Sequence, residues 1–228
     1  MQNIPVFTSE FGGATLILQE VPRKGEAYCV VQWAQPGQTP ALLAECARFC
    51  RMAGARRVLA SRLPETPETA PQIRLVRMTC QRARIPATDA ALWPLLPEHG
   101  GEFLRIYNER MAEVPAALSL READLPRLVA QGGGYFVHRD GELLGIGQVE
   151  GETLLSLVSC RRGAGRDVAA ALISVMQGET VELQVAESNR RAMALYEKLG
   201  FVPVGVGECW WEILEKSGGV PFGDFTKF

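Results

Sequence analysis

Apolar residues alternate with polar ones through Val181 to Val185 (V-E-L-Q-V), the period of a half-buried strand. They then recur as Ala192, Leu195, Tyr196 and Leu199, at i, i+3, i+4 and i+7, which is one face of a helix. Ser188 or Asn189 can cap that helix, and Gly200 supplies the left-handed residue that ends it. Phe201 to Val206 restarts as a strand, so Tyr196 faces a sheet. Upstream, Leu154 to Val158 reads as a buried strand. Val168, Leu172, Val175 and Met176 then mark one apolar face of a helix over Arg166 to Gln177. Between these two lies Cys160 to Arg166, C-R-R-G-A-G-R.

Ahead of this unit, Tyr135 to Val137 and Leu143 to Ile146 flank Arg139-Asp140-Gly141, and Asp-Gly between apolar runs predicts a tight hairpin. A second turn, Glu150-Gly151-Glu152, leads into Leu154 to Val158. Three antiparallel strands before a glycine turn exclude a dinucleotide-binding βαβ unit, which needs parallel neighbours and G-x-G-x-x-G. Glu102 to Glu113 predicts a helix with Phe103, Ile106, Tyr107 and Met111 on one side. Ser119-x-x-Glu122 reads as a capping box for a second helix through Val129.

In the front of the chain, Ala14 to Gln19, Tyr28 to Trp33, Arg57 to Ala60 and Ile73 to Met78 read as strands. Pro40 to Ala53 reads as a helix, with Thr39 as N-cap and Gly54 at its end. Pro64 to Pro71 is a proline-rich exposed loop or linker. Strand, Pro-Gly turn, helix and strand thus occur in the same order as over Leu154 to Val185. A decayed half-repeat and a coincidence are both open. The boundary falls between Gln81 and Pro97, giving a front half (1–90), a back half (91–217) and a tail (218–228) whose phenylalanines could dock on the body.

The run N-x-x-A-x-x-L-Y-x-K-x-G-F from Asn189 to Phe201, preceded by L-x-V, closely resembles the signature of the GNAT superfamily of N-acetyltransferases over about twenty residues. The resemblance implies an α/β (α+β) fold with a mixed, mostly antiparallel central sheet flanked by helices, here with two GNAT-like halves in tandem if the front half is a repeat. It also implies that the C-R-R-G-A-G-R turn binds the pyrophosphate of acetyl-CoA. The physical basis is sound, because main-chain N–H groups at a helix start lack intrahelical partners and converge with the helix dipole on an anion. Cys160 stands where the family pattern has Gln or Arg. A register beginning at Arg162 restores the basic residue but puts Asp167 where a small one belongs, whereas the first register keeps Val168 and Leu172 inward.

The cofactor-binding residues implied are Leu157 and Val158, whose strand-end amides polarise the thioester carbonyl, then Arg162, Gly163, Ala164, Gly165 and Arg166, then Asn189 and Ala192. Arg161 adds charge beside them. The chemistry implied is direct transfer of an acetyl group from acetyl-CoA to a primary amine, without a covalent acyl-enzyme. Tyr196 is the catalytic acid that protonates the departing thiolate, since a phenol with a pKa of about 10 is protonated at neutral pH. Glu150, Glu152 and Glu187 are the candidate bases. Tyr107, Asn108, Glu109 and the Val114-Pro115-Ala116 turn are the acceptor-side candidates. The front half has neither a basic glycine loop nor the Asn-to-Phe run, so it is expected to be non-catalytic.

Composition narrows this further. The chain has 228 residues, 24 Lys and Arg against 26 Asp and Glu, and a formal charge of −2. Its arginines are dispersed, which argues against nucleic acid as a partner. No apolar run approaches about eighteen residues and the N-terminus lacks the features of a signal peptide, so the expectation is a cytoplasmic protein with no membrane partner. Six cysteines without C-x-x-C, and two isolated histidines, give no metal site. Cys160, beside two arginines at a helix start, is where a lowered thiol pKa is conceivable, although packing is the expected role. A catalytically inactive scaffold or CoA-sensing binding protein is the alternative reading.

Overall fold

The computed structural model describes residues 6–214; the tail considered above lies outside them. The front half contains β1 (Val6–Ser9), β2 (Gly12–Ile17), a one-turn α1 (Val21–Lys24), β3 (Glu26–Ala34), α2 (Thr39–Met52), β4 (Arg57–Ser61) and β5 (Ile73–Gln81). The back half follows with β6 (Ala91–Pro94), α3 (Gly100–Met111), α4 (Leu125–Gln131), β7 (Gly134–Arg139), β8 (Glu142–Glu150), β9 (Thr153–Ser159), α5 (Gly165–Ser174), β10 (Thr180–Ala186), α6 (Arg190–Lys198) and β11 (Val202–Glu212). All the strands join one mixed sheet in the order β1-β2-β3-β4-β11-β5-β10-β9-β8-β7-β6. Among the described strands only β3–β4 and β9–β10 pair in parallel; the other pairs are antiparallel, including the β7–β8–β9 meander that the sequence predicts.

Local chemistry explains these elements. Asp140 and Gly141 both take positive φ, 51° and 79°, so the β7–β8 connection is the tight two-residue hairpin that its Asp-Gly predicts. Val168 and Leu172 of α5 are fully buried and press on β8, where a Cβ at Gly145 or Gly147 would run into them and into the backbone of β9. On the other face, Phe103, Ile106 and Tyr107 of α3 pack with Phe136, Ile146 and Val158. Alternate residues of β7 therefore serve two helical layers, Val137 under α5 and Phe136 under α3. In the front half, α2 covers β2, β3 and β4 with a core that includes Cys29, Cys46 and Cys50.

The strand order binds the two halves together. β5, from the front half, lies between β10 and β11 of the back half, and β11 lies between β5 and β4. Each half thus contributes a strand that closes the other's part of the sheet.

Several boundaries differ from expectation. Thr39 lies inside α2, with Gln38 as its flanking residue. The capping box at Ser119 does not form. Arg121 and Asp124 make the turn before α4, and Ser119 is held instead by Glu20. Val175 is 43 % exposed because α5 ends at Ser174, one residue before it. β11 runs on to Glu212, where it meets β4. The short β1, α1 and β6 carry too few residues for a periodic signal.

Candidate active site

Strand β9 is tied to β8 along its length, and the Cys160 N–H extends the ladder by donating to the Leu144 carbonyl at 2.8 Å. The chain then turns. Ser159 Oγ donates to the Arg161 carbonyl at 2.6 Å, Gly163 takes a φ of 86°, and α5 begins at Gly165. A Cβ on Gly163 would meet nothing, so its glycine is needed for the backbone angle rather than for room. At Gly165 a Cβ would come within 3.1 Å of Leu195 on α6. This geometry fits the register in which Gly163 and Gly165 are the paired glycines. Among the described residues no acceptor is recorded for the amides of Gly163, Gly165 and Arg166, so they are available to an anion. Arg162 and Arg166 are exposed and without ion pairs there, while Arg161 reaches Glu142 at 3.4 Å.

Beside this turn the sheet opens. β10 pairs with β9 at only two positions, Glu182 with Thr153 and Leu183 with Leu154, after which the strands have no common register. A shift in the β8–β9 ladder leaves Leu155 bulged out and 51 % exposed. Leu157 and Val158 lie beyond that bulge, on the stretch of β9 that pairs with β8 but not with β10.

Helix α6 packs beside the glycine turn through Leu195. Asn189 caps it, its Oδ1 accepting the Ala192 N–H at 3.2 Å, which leaves the side-chain amide N–H groups for another partner. Tyr196 is buried, sits edge-on to Phe201 with ring centroids 5.7 Å apart, and has its hydroxyl pKa pushed up to about 12 by that burial. The phenol therefore keeps its proton at any physiological pH. Cys160 faces the other way, into the α3 core, and burial raises its thiol pKa against the opposing pull of Arg110 and Arg105. It is a packing residue and not an activated thiol.

An FR47-like protein family model matches residues 151–211, from the hairpin before β9 into β11. A putative acetyltransferase from Pyrococcus horikoshii superimposes with a TM-score of 0.57 at 13% identity, over 90% of this chain and 70% of the other. A GCN5-related N-acetyltransferase from Anabaena variabilis does so with 0.57 at 12%, over 88% and 58%. The chain has the GNAT fold. A conserved protein of unknown function from Staphylococcus epidermidis shares that fold along nearly its whole length, with a TM-score of 0.56 at 11% identity over 91% of this chain and 93% of the other. No curated protein matches the sequence.

Within this GNAT frame, a cavity of about 700 Å³ opens at the bulge. Leu155, Gln148 and Glu150 line it from the sheet, Tyr107 from α3, and Ile17 and Gln19 from the front half. Of the acceptor-side candidates Tyr107 lies in this wall. Asn108 holds Leu120 through two hydrogen bonds of 2.8 Å, and Glu109 pairs with Arg105 at 3.3 Å in solvent. Val114, Pro115 and Ala116 border two separate, smaller cavities. Among the candidate bases, Glu150 is exposed at the cavity rim and Glu152 is exposed at the hairpin, while Glu187 faces Arg74 at 4.0 Å.

Gln148 and Ser156 were not among the sequence candidates. They are cross-strand partners beside the bulge, each 7 % exposed, and Gln148 Nε2 and Ser156 Oγ have no hydrogen-bond partner among the described residues. Their signal is a polar residue inside an otherwise apolar strand (L-L-G-I-G-Q-V), which is costly without a purpose. The front half differs at the corresponding place. β3 and β4 pair at five consecutive positions, and the turn between β3 and α2, Gln35 to Gln38, carries no basic residue.

Proposed function

We propose that this GNAT protein transfers an acetyl group from acetyl-CoA to a primary amine by direct attack, with the donor held between β9 and β10. The observation that carries this reading is the parting of those strands beside a glycine turn whose amides are free. Amides of Gly163, Gly165 and Arg166, with Arg162 and Arg166, hold the pyrophosphate. Leu157 and Val158 present main-chain groups to the pantetheine arm and thioester carbonyl, and Asn189 and Ala192 flank the arm from α6. The amine nitrogen forms the new bond to the carbonyl carbon and the carbon–sulfur bond breaks. Tyr196 gives its proton to the departing thiolate, and the proton shed by the amine leaves through the cavity, where Glu150 stands at the rim.

In this reading residues 91–217 carry the chemistry and residues 1–90 form a GNAT-like half without a donor site. The test is release of free CoA thiol across a panel of primary amines, with Tyr196→Phe beside wild type. The expected result is turnover in wild type and a drop in kcat of about 10²-fold or more in the variant, with acetyl-CoA affinity retained. Donor binding with no transfer to any amine would establish a CoA-sensing protein instead.

A further inference from the structure

The acetyl-transfer reading gives the front half no donor site, yet a fully buried charged residue lies there. Glu20 is 0 % exposed. Its carboxylate accepts the Ser119 N–H and, at 3.0 Å, the Ser119 hydroxyl, and it stands 3.6 Å from Lys24 Nζ. Lys24 also donates to the Ala117 carbonyl at 2.7 Å. Arg23 donates to Ser119 Oγ at 2.8 Å and to the Asn108 carbonyl at 2.9 Å, and Gln19 donates to the Ser119 carbonyl at 3.1 Å. Four polar residues in and just before α1, Gln19, Glu20, Arg23 and Lys24, therefore converge on the segment that joins α3 to α4.

We infer that Glu20 is a positioning residue for the amine acceptor, acting through Ser119; this rests on the acetyl-transfer reading. Ser119, Leu120 and Arg121 line the 700 Å³ cavity together with Gln19 and Ile17, and Leu120 is fixed in turn by Asn108. One wall of the acceptor cavity thus belongs to a back-half loop whose register is set from the front half. A buried carboxylate is a costly way to hold a loop unless its direction matters. Apolar side chains would close the same gap, but would not fix both the N–H and the hydroxyl of one residue. Glu20 also lies close enough to Tyr107, in the same cavity wall, to add to the rise in that phenol's pKa, which burial chiefly drives to about 12. The donor elements, β9, the glycine turn and α6, make none of these contacts, so the brace acts on the acceptor side alone.

The test compares Glu20→Ala and Glu20→Gln in the full chain. It measures KM and kcat for the best amine of the panel, acetyl-CoA affinity by calorimetry, and hydrogen exchange of residues 117–120. Glu20→Ala is expected to raise the amine KM about tenfold or more, with kcat within threefold and donor affinity within twofold. Glu20→Gln keeps an acceptor for the Ser119 N–H and should recover most of the loss. An unchanged amine KM with a loosened loop would overturn the inference, as would donor affinity falling in parallel with the amine's. If wild type binds acetyl-CoA and acetylates no amine, the transfer reading fails by itself. The exchange data then judge the brace: faster exchange at Ser119 supports it, and unchanged exchange overturns it. If Glu20→Ala does not fold, Glu20→Gln and Lys24→Met carry the same comparison, with a smaller rise in amine KM expected.

Discussion

At the scale of single residues, burial decides how firmly three phenols hold their protons. Burial pushes the Tyr196 and Tyr107 hydroxyl pKa values up to about 12 and raises that of Tyr28 above the ordinary phenol range, with desolvation the leading cause each time. An acid whose folded pKa is raised favours the fold fully below the unfolded value of about 10, and loses that contribution as pH climbs toward the folded value. Thermal melts should therefore hold steady from pH 7 to 9 and fall between about pH 10 and 12. A melting temperature that stays flat through pH 11 would show that these phenols are not desolvated. Asn189 caps α6 and, in the proposed reading, also flanks the donor. Asn189→Ala should cost about 1 kcal/mol of stability through the lost cap, and should weaken acetyl-CoA binding further if the freed side-chain N–H reaches the donor. Calorimetry beside a denaturant melt separates the two effects.

Among the elements, the packing of α5 on β8 fixes the height of the glycine turn above the sheet. Gly145→Ala would push a methyl group against Val168 and the Val158 carbonyl. It should destabilise by about 1–3 kcal/mol, and should lower donor affinity because the start of α5 must shift. A chemical melt with unchanged midpoint would contradict the close approach. Legibility in the sequence follows from the same physics. The periodic segments, α5, α6 and the β7–β9 meander, announce themselves because one face of each is apolar and Asp-Gly marks the hairpin. The Asn-to-Phe run announces α6 with Asn189 as its cap, and the glycine spacing announces the turn before α5. What stayed hidden is what depends on distant pairing: the bulge at Leu155, the separation of β9 from β10, and the Gln148–Ser156 pair. Ser119 is the instructive miss. Its spacing to Glu122 satisfies a local capping rule, but a buried carboxylate 99 residues earlier in the chain, that of Glu20, outcompetes the helix for its N–H. Cys160 misleads in the same way: its neighbours in sequence are arginines, while its neighbours in space are the side chains under α3.

Over the whole molecule, the exchange of β5 and β11 makes the halves mutually dependent. A fragment beginning at Ala91 would lack β5, leaving β10 and β11 with unpaired edges in the middle of the sheet. It should not fold alone, and the full chain should melt in one cooperative transition by both calorimetry and circular dichroism. Two separated transitions would show that the halves are stable units. The same arrangement ties the front half to the back, since it supplies the central strand of the shared sheet, part of the wall of the cavity of about 700 Å³ and the Glu20 contacts that hold Ser119. No helix among the described residues is long and apolar enough to cross a membrane. We propose one donor site in this chain, between β9 and β10, and none at the β3–β4 pair. Calorimetric titration of acetyl-CoA into the purified protein tests it most directly: one site per chain is the predicted result, and either no binding or two sites per chain would contradict it.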